Sequence, residues 1–172
     1  MNIPSSTLDE LLAIRREVSG RTVDVDEKTV QLVIFTLQGE WLAFHGDKIR
    51  EILPYGRVFF VPGCPDSLEG VINVRGDIIS VIRLEMLLGH PGTAPSQHAS
   101  ILLGQGGGMQ SGIRVDEVLD VREVPESAIL APPGTLPDHL RPLVLGIVTI
   151  RTRPVLVLNL GRLFEDYQRG LG

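Results

Sequence analysis

The chain has 172 residues, 43% hydrophobic, with 16 basic and 21 acidic side chains and a formal net charge of -5. That is enough apolar material for one folded domain or two small lobes in one body, and the mild acidity gives no electrostatic footprint for a nucleic-acid backbone. A single cysteine forms no internal disulfide, and the apolar runs are far shorter than the ~20 residues a membrane helix needs, so a soluble cytoplasmic protein is expected.

The first 28 residues read as an extension. Thr7 with Glu10 forms a capping box, and Leu8, Leu11, Leu12 and Val18 recur at helical spacing until Gly20. A short amphipathic helix is predicted there, followed by a polar linker to Lys28. From Thr29 the pattern turns to strands: Thr29 to Leu37, the turn Gln38-Gly39, then Glu40 to His45 as a hairpin. Further short apolar pieces follow at Ile49 to Leu53, Val58 to Val61, Val71 to Val74 and Ile78 to Leu84, punctuated by Pro and Gly. A turn of helix at Glu85 to Leu88 ends at Gly89, and His90 to His98 reads as a flexible connection between lobes.

The second half repeats the first. Gly70, Arg75, Leu84 and Leu87 recur at an offset of 76 as Gly146, Arg151, Leu160 and Leu163, with Ile78 to Leu84 answered by Pro154 to Leu160. Upstream, Gln38-Gly39, Asp47, Ile49 and Ile52 are echoed at an offset of 69 by Gly107-Gly108, Asp116, Val118 and Val121. The expectation is an all-β protein of two small five-stranded barrels, lobe one about 29–90 and lobe two about 98–168. Barrels of that size need glycine corners and few large rings, which accounts for 19 Gly and 12 Pro beside one Trp, two Tyr and five Phe.

Chemistry-bearing clusters are scarce. His45, His90, His98 and His139 are dispersed and Cys64, expected to be buried or incidental, stands alone, so no metal or other cofactor is expected. The five glycines from Gly104 to Gly112 lack the Lys-Ser or Lys-Thr of a phosphate loop. Asp47 with Glu51 and Asp116 with Glu117 read most simply as solvated acids, and no nucleophile, base and orienter assemble. An enzyme is not expected. The exception is Glu69 to Asp77, where Gly70 and Gly76 bracket Asn73 and Arg75, placed by strand alternation on one face. Arg75 has two readings: a surface salt bridge with Asn73 capping a turn, or a planar fork offered to a partner's carboxylate or carbonyl.

Taken in order, Val33 to Leu37 with Gly39, Ile49-Arg50-Glu51-Ile52, Val61-Pro62-Gly63, Gly70-Val71-Ile72-Asn73-Val74-Arg75-Gly76, Gly112 to Val118, and Gly146 with Leu156 to Leu160 resemble the CheW family over about residues 29 to 167. The resemblance implies two five-stranded SH3-like barrels around an apolar seam. It implies a non-catalytic adaptor between the cytoplasmic tips of chemoreceptors and the regulatory domain of a CheA-type histidine kinase, recruited to membrane-associated arrays without entering the membrane. It places Gly70, Asn73, Arg75 and Gly76 on a receptor-facing or structurally critical stretch, and Ile49 on a strand of the groove. Arg83 stands where the family often has Asp after the apolar run of the lobe-one strand, with Asn159 at the equivalent place in lobe two, and the charge reversal at Arg83 bears on the partner served. The alternative is a stand-alone double-barrel module in a non-flagellar pathway such as pilus motility, biofilm or second-messenger signalling, for which the N-terminal helix could set specificity.

Overall fold

A computed structural model describes residues 27–171; the helix expected at residues 8 to 18 lies outside them. Ten strands form in order: β1 (Thr29–Leu37), β2 (Glu40–His45), β3 (Ile49–Pro54), β4 (Leu68–Val74), β5 (Asp77–Arg83), β6 (Ser100–Gly106), β7 (Met109–Val115), β8 (Glu117–Pro125), β9 (Val144–Ile150) and β10 (Arg153–Leu158). Short helices α1 (Leu84–Leu87) and α2 (Leu160–Asp166) follow β5 and β10. The expected run Val58 to Val61 is not a strand: Phe59 alone bridges to Val71, with Gly56, Pro62 and Pro65 interrupting either side.

The strands build two five-stranded sheets, β8-β1-β2-β10-β9 and β3-β6-β7-β5-β4. This corrects the expectation that residues 29–90 close one barrel and 98–168 the other. Each half lends its first hairpin to the other half's sheet. β1–β2 inserts between β8 and β10, and β6–β7 inserts between β3 and β5. The exchange makes four pairings between the halves: the antiparallel β1·β8 and β3·β6, and the parallel β10·β2, through Leu156↔Leu42, and β5·β7, through Ile82↔Ile113.

Both sheets curl until their edges meet. Just after β3, Phe59 exchanges two backbone hydrogen bonds with Val71 of β4, at 2.8 and 2.9 Å; after β8, Leu130 does the same with Ile147 of β9, at 2.8 and 2.9 Å. Two glycines make room for these closures. A Cβ on Gly70 would overlap the Phe59 carbonyl oxygen, and one on Gly146 would lie 2.5 Å from the carbonyl oxygen of Leu130. The Gly70/Gly146 repeat is thus the imprint of barrel closure.

Apolar residues alternate along the strands and sort into three clusters. Leu32, Ile34, Ala43, Val148, Val155 and Val157 fill the β1-containing barrel, while Ile72, Val81 and Ile101 fill the other. Phe35, Leu42, Phe44, Ile82, Leu102, Ile113, Leu158, Leu160 and Phe164 form the largest cluster, the seam between the two sheets. β1 is therefore buried on both faces, with Leu32, Val33, Ile34 and Phe35 all at most 3% exposed. Where β1 has Phe35, β6 has Gly104, and the space is taken by Leu160 and Phe164 of α2.

Two-residue turns close the equivalent hairpins. Both Arg75-Gly76 and Arg151-Thr152 have positive φ, at 52° and 93° and at 51° and 66°. Threonine is β-branched and ill suited to that region. Thr152→Gly is expected to raise stability by about 1 kcal/mol and Gly70→Ala to lower it by about 3 kcal/mol, read from urea midpoints at unchanged slope.

Candidate functional site

β4 ends at Val74, so Arg75 and Asn73 do not share a strand face as alternation suggested. Arg75 occupies the turn with φ of 52°, and the Asn73 side chain fixes that turn by accepting from the Gly76 amide at 2.8 Å. From there the Arg75 guanidinium reaches back to β3 and donates both arms to Glu51, at 3.0 Å to Oε1 and 2.6 Å to Oε2. Such a fork restricts orientation as well as position. Arg75 nevertheless leaves 70% of its side-chain surface exposed, against 33% for Glu51.

Glu51, expected to be a solvated acid, is therefore the missing partner of the site. The Arg75 hydrogen bonds hold its carboxyl below the ordinary value, assisted by the charges of Arg75 and Arg50. The pair borders a cavity of about 460 Å³ lined by Arg50, Val74, Asp77, Ile79, Leu103 and Gln110. The second barrel keeps the same plan in weaker form: Arg151 stands 3.8 Å from Asp120, which also faces Arg122 at 3.3 Å. Asp120 follows Glu51 by 69 residues, so the upstream offset that paired Ile49 with Val118 also pointed to Glu51.

Of the expected site residues, the structure brings Asn73, Arg75 and Gly76 together and separates the other two. Gly70 lies at the opposite end of β4 beneath Phe59, and Ile49 pairs with Gly104 and packs half-buried against the seam. Cys64, expected to be buried or incidental, is exposed. Asp116, grouped with the solvated acids, accepts the Gln38 amide at 2.7 Å and so ties the β1–β2 turn to β7.

A second feature lies where the seam reaches the surface. Leu37, Leu42, Leu88, Leu140, Leu156 and Leu158 wall an apolar groove of about 320 Å³, with Gln38, Glu40 and His90 at its mouth. Mostly hydrophobic walls with a few polar groups at the edge suit a protein or peptide side chain.

The third is a buried ionic network in the β3-containing barrel that the sequence reading did not identify. Arg114 on β7 is 1% exposed and donates to Glu69, to Glu85 at 2.9 Å and to the carbonyl of Thr93. Glu85 is fully buried and also accepts the Thr93 amide at 3.2 Å, while Tyr55 donates to Glu69 at 2.8 Å. Burial and that carboxylate raise the Tyr55 phenol above its ordinary value. The network straps the 89–98 connection to the barrel. Arg83 joins it 3.5 Å from Glu69 and donates to the Asp66 carbonyl at 2.8 Å, whereas its repeat partner Asn159 caps α2 by accepting the Arg162 amide at 3.0 Å. A cavity of about 480 Å³ beside Arg83 and Arg114 belongs to this polar end.

Among the described residues, no three His, Cys, Asp or Glu side chains converge to hold a metal, and no helix is long and apolar enough to cross a membrane.

Comparison with known proteins adds an independent line. A family model described as CheW-like domain matches residues 31–168. The chain is 25% identical over 160 residues to a chemotaxis protein CheW of Klebsiella aerogenes, covering 93% of each. It is 27% identical over 136 residues to a probable chemotaxis protein CheW of Rhizobium etli, covering 79% of this chain and 88% of that one. Among solved structures it is similar to the scaffolding protein TtCheW of Thermoanaerobacter tengcongensis, with a TM-score of 0.70 and 28% identity over 80% of this chain and 89% of that one.

Two measurements check this description. The stabilisation from the Arg75–Glu51 pair is complete above the ordinary Glu pKa and is lost as pH falls through the depressed one. An NMR titration should thus find the Glu51 carboxyl below ordinary glutamates, with Arg75→Ala moving it upward. Arg114→Leu leaves Glu85 buried without its cation and Glu69 with Arg83 alone, and should cost about 3–5 kcal/mol in urea unfolding.

Proposed function

The chain belongs to the CheW-like family, the scaffold proteins of chemotaxis signalling, and on that premise we propose that it couples chemoreceptors to a CheA-type histidine kinase as a non-catalytic adaptor. The observation that carries this assignment is the apolar groove at the seam, walled by Leu37, Leu42, Leu140 and Leu156 and open to solvent. A groove of that kind accepts the apolar ridge of a helical partner, with anchors repeating at i, i+3 and i+4. The cytoplasmic tip of a coiled-coil receptor is such a partner.

Arg75 is the proposed orienting residue. Its guanidinium is held at a fixed angle by Glu51 while most of its surface faces solvent. A pre-set fork loses little freedom on docking, so it selects orientation and register more than it adds bulk affinity. Asn73 and Gly76 act by shaping the turn that presents it. Gly70 and Ile49 act through the backbone beneath, one by permitting barrel closure and the other by packing β3 onto the seam. The kinase regulatory domain docks on an outer barrel face, so both partners are held at once and the work is done by contact. The protein accordingly resides in the cytoplasm and joins receptor arrays at the membrane through its partners.

The test uses the purified chain with a pathway-matched receptor cytoplasmic fragment and kinase regulatory domain. Binding to both is expected, and failure to bind either would overturn the adaptor assignment. Arg75→Ala, with an unchanged circular dichroism spectrum, should weaken receptor binding roughly tenfold and reduce receptor control of the kinase. Full retention of coupling would remove Arg75 from the role.

A further inference from the structure

The two barrels repeat each other position by position, so each serves as a template for the other. The offset of 69 matches the pair Ile34↔Asp120 with Leu103↔Glu51 and Thr36↔Trp41 with Gln105↔Gln110, while that of 76 matches Asp77 with Arg153. Even the register shift recurs, the extra residue being Leu119 on β8 and Arg50 on β3. Matched residues therefore take equivalent places around the two barrel ends.

One of these ends is filled and the other is open. In the β1-containing barrel, Trp41 and Leu119 are half-buried and pack against the interior cluster, and the Arg153 guanidinium carbon lies 4.9 Å from the centre of the Trp41 ring. The β3-containing barrel has Gln110 and Arg50 at those two places. Both are exposed, and Arg50 donates to Gln110 at 3.5 Å. Here lies the cavity of about 460 Å³ beside the Arg75–Glu51 pair, with Val74, Ile79 and Leu103 as its apolar lining.

The chemistry of the open end fits the kind of group that the filled end holds. Glu51 grips Arg75 along the edge of its guanidinium, through both terminal nitrogens. The planar faces stay available for stacking, and 70% of the side chain is exposed. Arg50 brings a second cation to the same cavity, and a cation over a ring is drawn to the negative π face, as Arg153 is over Trp41. An acidic side chain would instead meet Glu51 and Asp77, which also line the cavity, and an aliphatic one would gain only from the apolar lining.

We propose that the cavity lined by Val74, Ile79 and Leu103 is a socket for an aromatic side chain, tryptophan above all, presented by a protein partner and stacked on Arg75. The identity of that partner rests on the adaptor reading, and the socket adds what the partner must carry: an exposed aromatic residue that enters the barrel end. Glu51 then sets the plane on which the ring lies. A desolvated aromatic anchor beside an arginine is the combination in which interface energy concentrates. The two barrels thus divide the roles, one closing its end with its own Trp41 and the other taking the equivalent group from outside.

Titration of the full chain with N-acetyltryptophanamide, followed by NMR at the Leu103 and Ile79 methyl groups, tests the socket without any partner. Saturable shifts with a Kd of roughly 1 mM are expected, and N-acetylleucinamide should bind at least about tenfold more weakly. Arg75→Ala should weaken the tryptophan probe roughly threefold, and Arg151→Ala, at the equivalent turn of the other barrel, should leave it unchanged. Gln110→Trp copies the filled barrel and should abolish probe binding while the urea midpoint holds or rises. Absence of saturable shifts, equal affinity for the two probes, or undiminished binding in Arg75→Ala or in a folded Gln110→Trp would each overturn the socket. With the receptor fragment and the kinase regulatory domain, Gln110→Trp should weaken one of the two complexes about tenfold. Loss from neither would overturn the docking role, whereas a wild-type chain that binds neither partner defeats the adaptor assignment and leaves the amide titration to decide the socket.

Discussion

Everything in this fold depends on the exchange of hairpins between its two halves. Strand β2 lies parallel to β10, and β7 parallel to β5, so each barrel is completed by residues from the other half of the sequence. The exchange places the two hairpins back to back at the molecule's centre, where Phe35 and Phe44 from one and Leu102 and Ile113 from the other share a single cluster. The seam is consequently a core, its residues as fully buried as those of either barrel interior, which argues against the barrels moving as independent bodies about it. A groove whose walls come from such a seam has a fixed width. Rigid walls suit a protein whose contribution is to hold partners at set positions.

Much of the fold was legible in the residues. The strands of the first half follow from β-branched runs broken by Gly and Pro, and the offsets of 69 and 76 announced the duplication. The exchange was not legible, for a physical reason. Alternation of apolar residues fixes which face of a strand is buried but not which strand lies beside it. Val33 and Phe35 would show the same pattern whether their hairpin joined β3 or β8. Val58 to Val61 was misleading for a related reason: an apolar run becomes a strand only when a neighbour can pair with it, and here only Phe59 finds one.

The site was partly legible. Arg75 and Asn73 stood out because polar residues interrupt an apolar stretch between glycines, yet their geometry is that of a turn and its cap rather than a strand face. Glu51 was passed over because an acid at the start of a strand is usually solvated; only the matching acid at Asp120 distinguishes it. Arg114 shows the reverse error. It sits between Ile113 and Val115, both seam residues, so alternation alone aims it into the barrel, where composition gave no reason to expect a charge. Its partners Glu69 and Glu85 lie far away in sequence, and no local spacing reveals a network assembled by pairing β5 with β7.

The near-symmetry of the two halves gives the connection at residues 89–98 a meaning beyond length. Two separate copies of a five-strand repeat, each giving its hairpin to the other, would form a domain-swapped dimer with these same two barrels. The connection welds that dimer into one chain. Association that would otherwise depend on how many copies the cell makes becomes unimolecular, and the two faces, once fused, are free to diverge. The two barrels already differ in this way, with Arg114 and its acids in one and an apolar cluster filling the other.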